Sequence, residues 1–212
     1  MLFRSTGSGK SSLISLLPRF HEITAGSIFI SGQDIRDYSF HDLRGRIGFV
    51  PQKALLFSGT VKENLLWGNE DASDDELRRA ARIAQALRFI ERKEGGFDFK
   101  IAQGGANLSG GQRQRLAIAR ALVRCPEILI FDDSFSALDL KTDKNLRTAL
   151  QKEITDATFI IVAQRISTVA DADKILVLNE GSLVGFGTHE ELLENCDIYR
   201  EILFSQQKEA VV

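Results

Sequence analysis

Apolar residues along this chain come in short runs whose period changes from one run to the next. Ile128–Phe131 and Thr158–Ala163 are nearly unbroken apolar stretches, too short for helices, and read as parallel strands covered on both faces. Ile47–Val50 reads as a third buried strand, closed by Pro51-Gln52. Ser27–Ser31 alternates as a strand, with turn chemistry at Gly32-Gln33-Asp34. Ile175–Leu178 and Ser182–Gly185 flank Asn179-Glu180-Gly181 as a hairpin.

Helices are marked by spacing and by caps. Over Gly110–Val123, residues Leu116, Ala119, Leu122 and Val123 share a face, Arg113, Arg120 and Arg124 fall largely elsewhere, and Pro126 ends the pattern. Ser109 with Gln112, Ser73 with Glu76 and Thr188 with Glu191 have capping-box spacing. The Ser73 box opens an amphipathic helix with Leu77, Ala80, Ala81, Ala84, Leu87 and Ile90 on one face, ended by Gly95-Gly96. Its arginines, Arg78, Arg79, Arg82 and Arg88, read as a solvated face. Further helices are expected at Ser11–Leu17, with Leu13, Ile14, Leu16 and Leu17 turned inward, at Phe40–Arg44 behind Ser39 and Asp42, and at Lys141–Ile154. The polar tail after Phe204 is expected to fray. The pattern predicts an α/β fold: a parallel-sheet core (1–54 and 124–212) with a small antiparallel portion, and a mostly helical subdomain (55–123) inserted between two strands.

The chain has 212 residues and a net charge of −2, enough for a sizeable core and no electrostatic case for nucleic acid or an anionic membrane. No apolar run approaches a membrane span. Cys125 and Cys196 lack metal or redox spacing and read as reduced structural thiols. His189 reads as structural.

Candidate chemistry gathers in three places. Thr6-Gly7-Ser8-Gly9-Lys10-Ser11-Ser12 is a Gly-rich turn opening a helix, which offers backbone N–H groups to phosphate oxygens. Lys10 would reach the terminal phosphates of ATP, and Ser11 would ligate Mg²⁺. The P-loop pattern puts its first glycine at position 4, where Arg4 stands, and the feeding strand is reduced to Met1-Leu2-Phe3. A natural N-terminus further upstream, or a truncated frame, is therefore expected. Secondly, Ile128–Phe131 runs into Asp132 and Asp133, carboxylates at a strand end, where open parallel sheets bind ligands. Gln52 stands at another strand exit, suited to touch the metal or the attacking water. Thirdly, Ser109, Gly110, Gly111 and Gln112 begin a helix with an anion-seeking N-terminus.

These residues resemble the nucleotide-binding domain of an ATP-binding cassette (ABC) transporter, and the match runs nearly the whole chain in order. TGSGKSS resembles the Walker A loop, Gln52 the Q-loop, LSGGQ the family signature, ILIFDD Walker B and Ser136-Ala137-Leu138-Asp139 the D-loop. Gln164 stands at the switch-histidine position. LFSGTVKEN and FGTHEELL are similar to the exporter branch. The resemblance implies a P-loop NTPase (RecA-like) fold and a head-to-tail dimer in which each ATP lies between one Walker A and the other signature. It also implies transmembrane domains as partners and a place on the cytoplasmic side of a membrane, the chain itself being soluble. Three departures from the family bear on catalysis. Its glutamate base is Asp133 here, one methylene shorter, so the carboxylate falls back by about 1 Å, a misplacement that costs on the order of 10²-fold. Its switch histidine is Gln164, an amide that cannot donate as an imidazolium. The adenine-stacking aromatic expected before Walker A is outside this chain. Asp133 and Gln164 together favour slow hydrolysis at this chain's own site and an unlike partner whose site the LSGGQ segment completes. The other classes are a nucleotide-binding module without turnover and a non-transport ABC-type ATPase.

Overall fold

The computed structural model describes residues 2–3 and 8–209, with side chains over 8–207. Thr6, Gly7 and Arg4 lie outside the described residues. In chain order the elements are β1 (Leu2–Phe3), α1 (Lys10–Leu16), β2 (Phe29–Ile30), β3 (Gln33–Asp34), α2 (Phe40–Gly45), β4 (Ile47–Val50), β5 (Gly59–Thr60), α3 (Val61–Leu66), α4 (Asp74–Ile83) and α5 (Leu87–Glu91). They continue with β6 (Lys100–Ile101), α6 (Gly110–Val123), β7 (Ile128–Asp132), α7 (Leu140–Glu153), β8 (Thr158–Ala163), β9 (Ile175–Asn179), β10 (Ser182–Gly187), α8 (His189–Asn195) and α9 (Asp197–Glu209). Contacts divide the chain into two compact units, Met1–Leu43 with Ile160–Val212, and Arg44–Phe159.

In the first unit β1 lies parallel to both β8 and β9, with Leu2 opposite Val162 and Leu176. The short strand before the Gly-rich loop is therefore a member of a parallel sheet. β9 and β10 form the antiparallel hairpin expected from the sequence, turned by Glu180 and Gly181, both at positive φ. Ile14, Val162, Ala163, Ile175, Val177, Leu192 and Tyr199 are buried here. His189 Nδ1 meets the Tyr199 hydroxyl at 2.8 Å, the structural role expected of it. Burial pushes the Tyr199 phenol up to about 12.

In the second unit β4 and β7 pair in parallel, Ile47 opposite Ile128 through Val50 opposite Phe131. Leu129, Ile130 and Phe131 are wholly buried, as a strand covered on both faces requires. Helices α3 and α4 pack on α6, and Val61, Leu65, Leu77 and Ala81 on the first two and Leu116, Ile118, Ala119 and Leu122 on the third are buried. All three expected capping boxes are formed, at Ser73, Ser109 and Thr188. Thr60 with Glu63 makes a fourth. The arginines of α4 are solvated: Arg78 pairs with Glu91, and Arg82 with Glu153.

Four expectations are corrected. In α1 only Ile14 of the four named residues is buried, and Leu13 is 37% exposed. The inward stripe is Lys10, Ile14 and Pro18, one residue per turn, too narrow to take in Leu13. Gln33-Asp34 is a strand rather than a turn, because Ser31 and Gly32, both at positive φ, make a two-residue turn alone. The helix opened at Ser73 does not run on through Ile90. Gln85 adopts φ 57, and Ala86 N–H reaches back to Ala81 O at 2.7 Å, closing α4 as a Schellman motif before α5 begins. Ala84 and Ile90 are both buried, so the apolar period continues across the bend and masks it. Finally, the segment after Phe204 is helical through Glu209.

Candidate functional site

The first unit holds the Gly-rich turn and Gln164. Gly9 caps α1 at φ 88, a conformation that suits glycine, and a Cβ there would sit 3.8 Å from the Gly181 Cα. Lys10 is 8% exposed, and its Nζ donates to Ser8 Oγ at 2.7 Å. Ser8 is buried, while Ser11 and Ser12 are exposed at the start of the helix. Gln164 stands at the exit of β8 with an exposed side chain. Its carbonyl accepts from Gln206 Nε2 at 2.6 Å.

The second unit brings Gln52, Asp132 and Asp133 together. Parallel pairing of β4 with β7 puts their carboxyl ends side by side; two bonds tie those ends and a third ties the β4 exit to α6. Ser134 Oγ donates to Val50 O at 2.8 Å, Gln52 Nε2 to Asp133 Oδ2 at 3.1 Å, and Gln114 Nε2, from α6, to Pro51 O at 3.2 Å. Asp133 is 9% exposed and sits at φ 47, a left-handed conformation that aspartate tolerates better than most residues. Its carbonyl accepts from Ser136 Oγ at 2.8 Å. Asp132 is half-buried at the last position of β7. The Gln52 amide, expected at a metal or the attacking water, has its nitrogen on Asp133. An amide donating through Nε2 still has Oε1, the atom that would meet a cation.

Ser109, Gly110, Gly111 and Gln112 are ordered by their capping box. Ser109 Oγ accepts from Gln112 N at 3.2 Å, and Gln112 Oε1 from Ser109 N at 3.0 Å. The first amides of α6 have no carbonyl a turn earlier to bond. A Cβ at Gly111 would press on Ala137 O at 3.3 Å, so this glycine lets the D-loop approach the helix. A Cβ at Gly110 would meet only Arg113 Nη2, at 4.0 Å, an ordinary contact without a clash. The spacing argument missed that Asp139 is the N-cap of α7, accepting from Thr142 N at 2.9 Å, a bond that holds its carboxyl below the ordinary range. An Asp three residues before a Thr at the head of a helical period was the available signal.

A Mg²⁺ ion bound through phosphates needs few protein ligands, since it keeps most of its own water. Among the described residues no cluster of three or more His, Cys, Asp or Glu could hold a metal. Asp132 and Gln52 in the second unit, and Ser11 in the first, each carry a hard oxygen donor of the type this ion takes.

Residues 2–136 match the ABC transporter family. The chain belongs to that family. An ABC transporter ATP-binding protein of Mycobacterium tuberculosis is 48% identical over 211 residues, covering 98% of this chain and 36% of the relative. An ATP-dependent lipid A-core flippase of Desulfotalea psychrophila is 43% identical over 202 residues, covering 95% and 35%. Among solved structures, a bacterial Atm1-family ABC exporter with ATP bound superposes with a TM-score of 0.93 at 40% identity, covering 97% of this chain and 36% of that one. This ABC chain thus spans about a third of the length of these relatives. Its parallel strands, flanking helices and small antiparallel sheets are the P-loop NTPase fold of ABC ATPases. Among the described residues no helix is long and apolar enough to cross a membrane.

This ABC chain has one further surface that spacing did not single out. Phe57 and Trp67, with ring centroids 5.0 Å apart, edge a recess of about 240 Å³ that Arg120 and Arg124 also line. Trp67 is 68% exposed. Arg120 donates through Nη2 to Leu55 O at 2.8 Å, while its buried Nη1 has no hydrogen-bond partner among the described residues. The exposed Trp in an otherwise apolar helix end, LLWG, was the signal to read.

Proposed function

We propose that this chain is the ATP-binding domain of an ABC exporter. In this reading it binds Mg·ATP at a head-to-tail interface with a second ABC domain, hydrolyses slowly at its own Walker site, and completes the partner's site with its signature. The observation that carries the reading is the start of α6. Ser109 and Gly110 are exposed and Gly111 is half-buried, the three are pre-ordered by a capping box, and a Cβ at Gly110 would meet nothing closer than Arg113 Nη2 at 4.0 Å. A positive helix end with amides facing solvent suits the terminal phosphate of a nucleotide held by another domain.

The roles then follow from chemistry. Backbone amides of the Thr6–Ser12 turn cradle phosphates, and Lys10 neutralises them. Asp132, Ser11 and the Gln52 oxygen would hold Mg²⁺, which supplies charge neutralisation at the phosphates when bound. Asp133 accepts the proton of the attacking water, and Gln52 orients that carboxylate by donating to Oδ2. A carboxylate one methylene short reaches water less well, and Gln164 donates without a charge; both slow the step. The same pair favours a second reading, a nucleotide-binding module with no turnover, from which the first is separated by phosphate release above background. The aromatic recess at Trp67 and Arg120 suits the docking of membrane-domain segments, which would place the chain on the cytoplasmic face.

Cysteine crosslinking in the assembled transporter tests the geometry. Ser109→Cys should crosslink to a cysteine in the partner domain's phosphate loop when ATP is added. A crosslink between the two signature segments, independent of ATP, would contradict the head-to-tail reading.

A further inference from the structure

The last helix of the chain reaches back to the exit of β8. Its first half is anchored: Tyr199 is fully buried, and Arg200 Nη1 donates to Leu193 O at 2.7 Å and Glu194 O at 2.8 Å. Two turns further on, and on the stripe begun by Tyr199, stands Gln206. Its carboxamide makes two bonds to one short piece of backbone. Gln206 Oε1 accepts from Ile166 N at 3.0 Å, and Gln206 Nε2 donates to Gln164 O at 2.6 Å. Between those two groups Arg165 is extended, at φ −103 and ψ 128. The carbonyl before an extended residue and the amide after it point to the same side, as on the edge of a strand. A carboxamide offers one donor and one acceptor, so it pairs with that edge as a neighbouring strand would.

We propose that Gln206 is a positioning residue for Gln164: it fixes the backbone from which Gln164 projects, and so sets where that amide stands during ATP cleavage. Ile166, 2% exposed, pins the far side of the same segment through its side chain. Gln206 thus joins α9 to this segment through a bond to each flank of Arg165. The proposal rests on the reading of Gln164 as a residue facing the terminal phosphate.

The test is a double-substitution cycle in the full-length protein, with Gln206→Met and Gln164→Ala, read by single-turnover cleavage of ATP and by ATP affinity. Gln206→Met keeps the length and loses both bonds. It should slow cleavage about tenfold while affinity changes less than about twofold. In the Gln164→Ala background it should change the rate less than about twofold, because the two act as one unit. Amide hydrogen exchange at Ile166 should accelerate in Gln206→Met. Gln206→Glu, which keeps an acceptor for Ile166 N–H and sets a carboxylate against Gln164 O, should also slow cleavage, and it carries the same cycle if the methionine variant does not fold. A wild-type rate in Gln206→Met, or an equal slowing in both backgrounds, overturns the positioning role. If Gln164→Ala alone leaves the rate unchanged, the reading of Gln164 fails and takes the proposal with it. A slow Gln164→Ala beside an unaffected Gln206→Met removes the positioning role alone.

Discussion

Gln52 Nε2 donates to Asp133 Oδ2 at 3.1 Å, joining the exits of two parallel strands across 81 positions of sequence. The bond depends on the register that sets Val50 opposite Phe131. It holds a nearly buried carboxylate at a left-handed backbone position. Gln52→Leu should cost about 1–3 kcal/mol, as loss of a hydrogen bond to a charged group does. Gln52→Glu should cost more at neutral pH, since two carboxylates would face each other, and that excess should shrink as pH falls into the carboxylate range. Urea unfolding of the three proteins at two pH values checks both statements.

Asp133→Glu combined with Gln164→His should raise turnover at this chain's own Walker site. The added methylene advances the carboxylate and the imidazole supplies a chargeable donor. Glutamate is less at ease than aspartate at φ 47, so a stability loss of about 1 kcal/mol should accompany the gain. Single-turnover ATPase and thermal melting of the double variant measure the two effects. No increase in a folded, ATP-binding variant would remove Asp133 and Gln164 as the cause of slow turnover.

Much of this site was legible in the sequence because its signals are local. The boxes at Ser73, Ser109 and Thr188 each need only two residues three apart, and α6 and β7 were bounded by spacing and by Pro126. What spacing cannot carry is long-range pairing. The Gln52–Asp133 and Gln206–Gln164 bonds arise from strand order and helix docking, neither of which leaves a periodic trace. The bend at Gln85 was hidden for a related reason: a Schellman turn by a non-glycine residue leaves no breaker in the sequence, and the buried alanines on either side keep the period.

Lys10→Ala should weaken Mg·ATP binding by roughly 1.5–3 kcal/mol, through loss of a charge-assisted phosphate contact. Lys10 Nζ already lies on Ser8 Oγ at 2.7 Å, so the ammonium is held at the turn rather than extended into solvent. Isothermal titration compares the two proteins, and equal affinities would exclude Lys10 from the phosphate site.

Gly68→Ala should be among the most destabilising single changes away from the site. A Cβ there would lie 2.2 Å from Arg120 O, a helix carbonyl that cannot step aside. Overpacking of this kind costs about 1–3 kcal/mol, with a backbone clash at the upper end. The urea midpoint should fall accordingly, while ATP affinity of the folded fraction should hold.

The central claim is that the signature of this chain serves another domain's nucleotide while its own base contributes little. Steady-state ATPase of the assembled transporter, with Gly110→Asp and Asp133→Ala introduced in turn, tests it most directly. Within the chain a Cβ at Gly110 makes only an ordinary contact, 4.0 Å from Arg113 Nη2, so Gly110→Asp should fold normally and act across the interface, placing a negative charge beside a phosphate. The account predicts a near-complete loss for Gly110→Asp and a mild one for Asp133→Ala. If Asp133→Ala abolishes turnover as completely as Gly110→Asp, the division of labour proposed for this chain is contradicted.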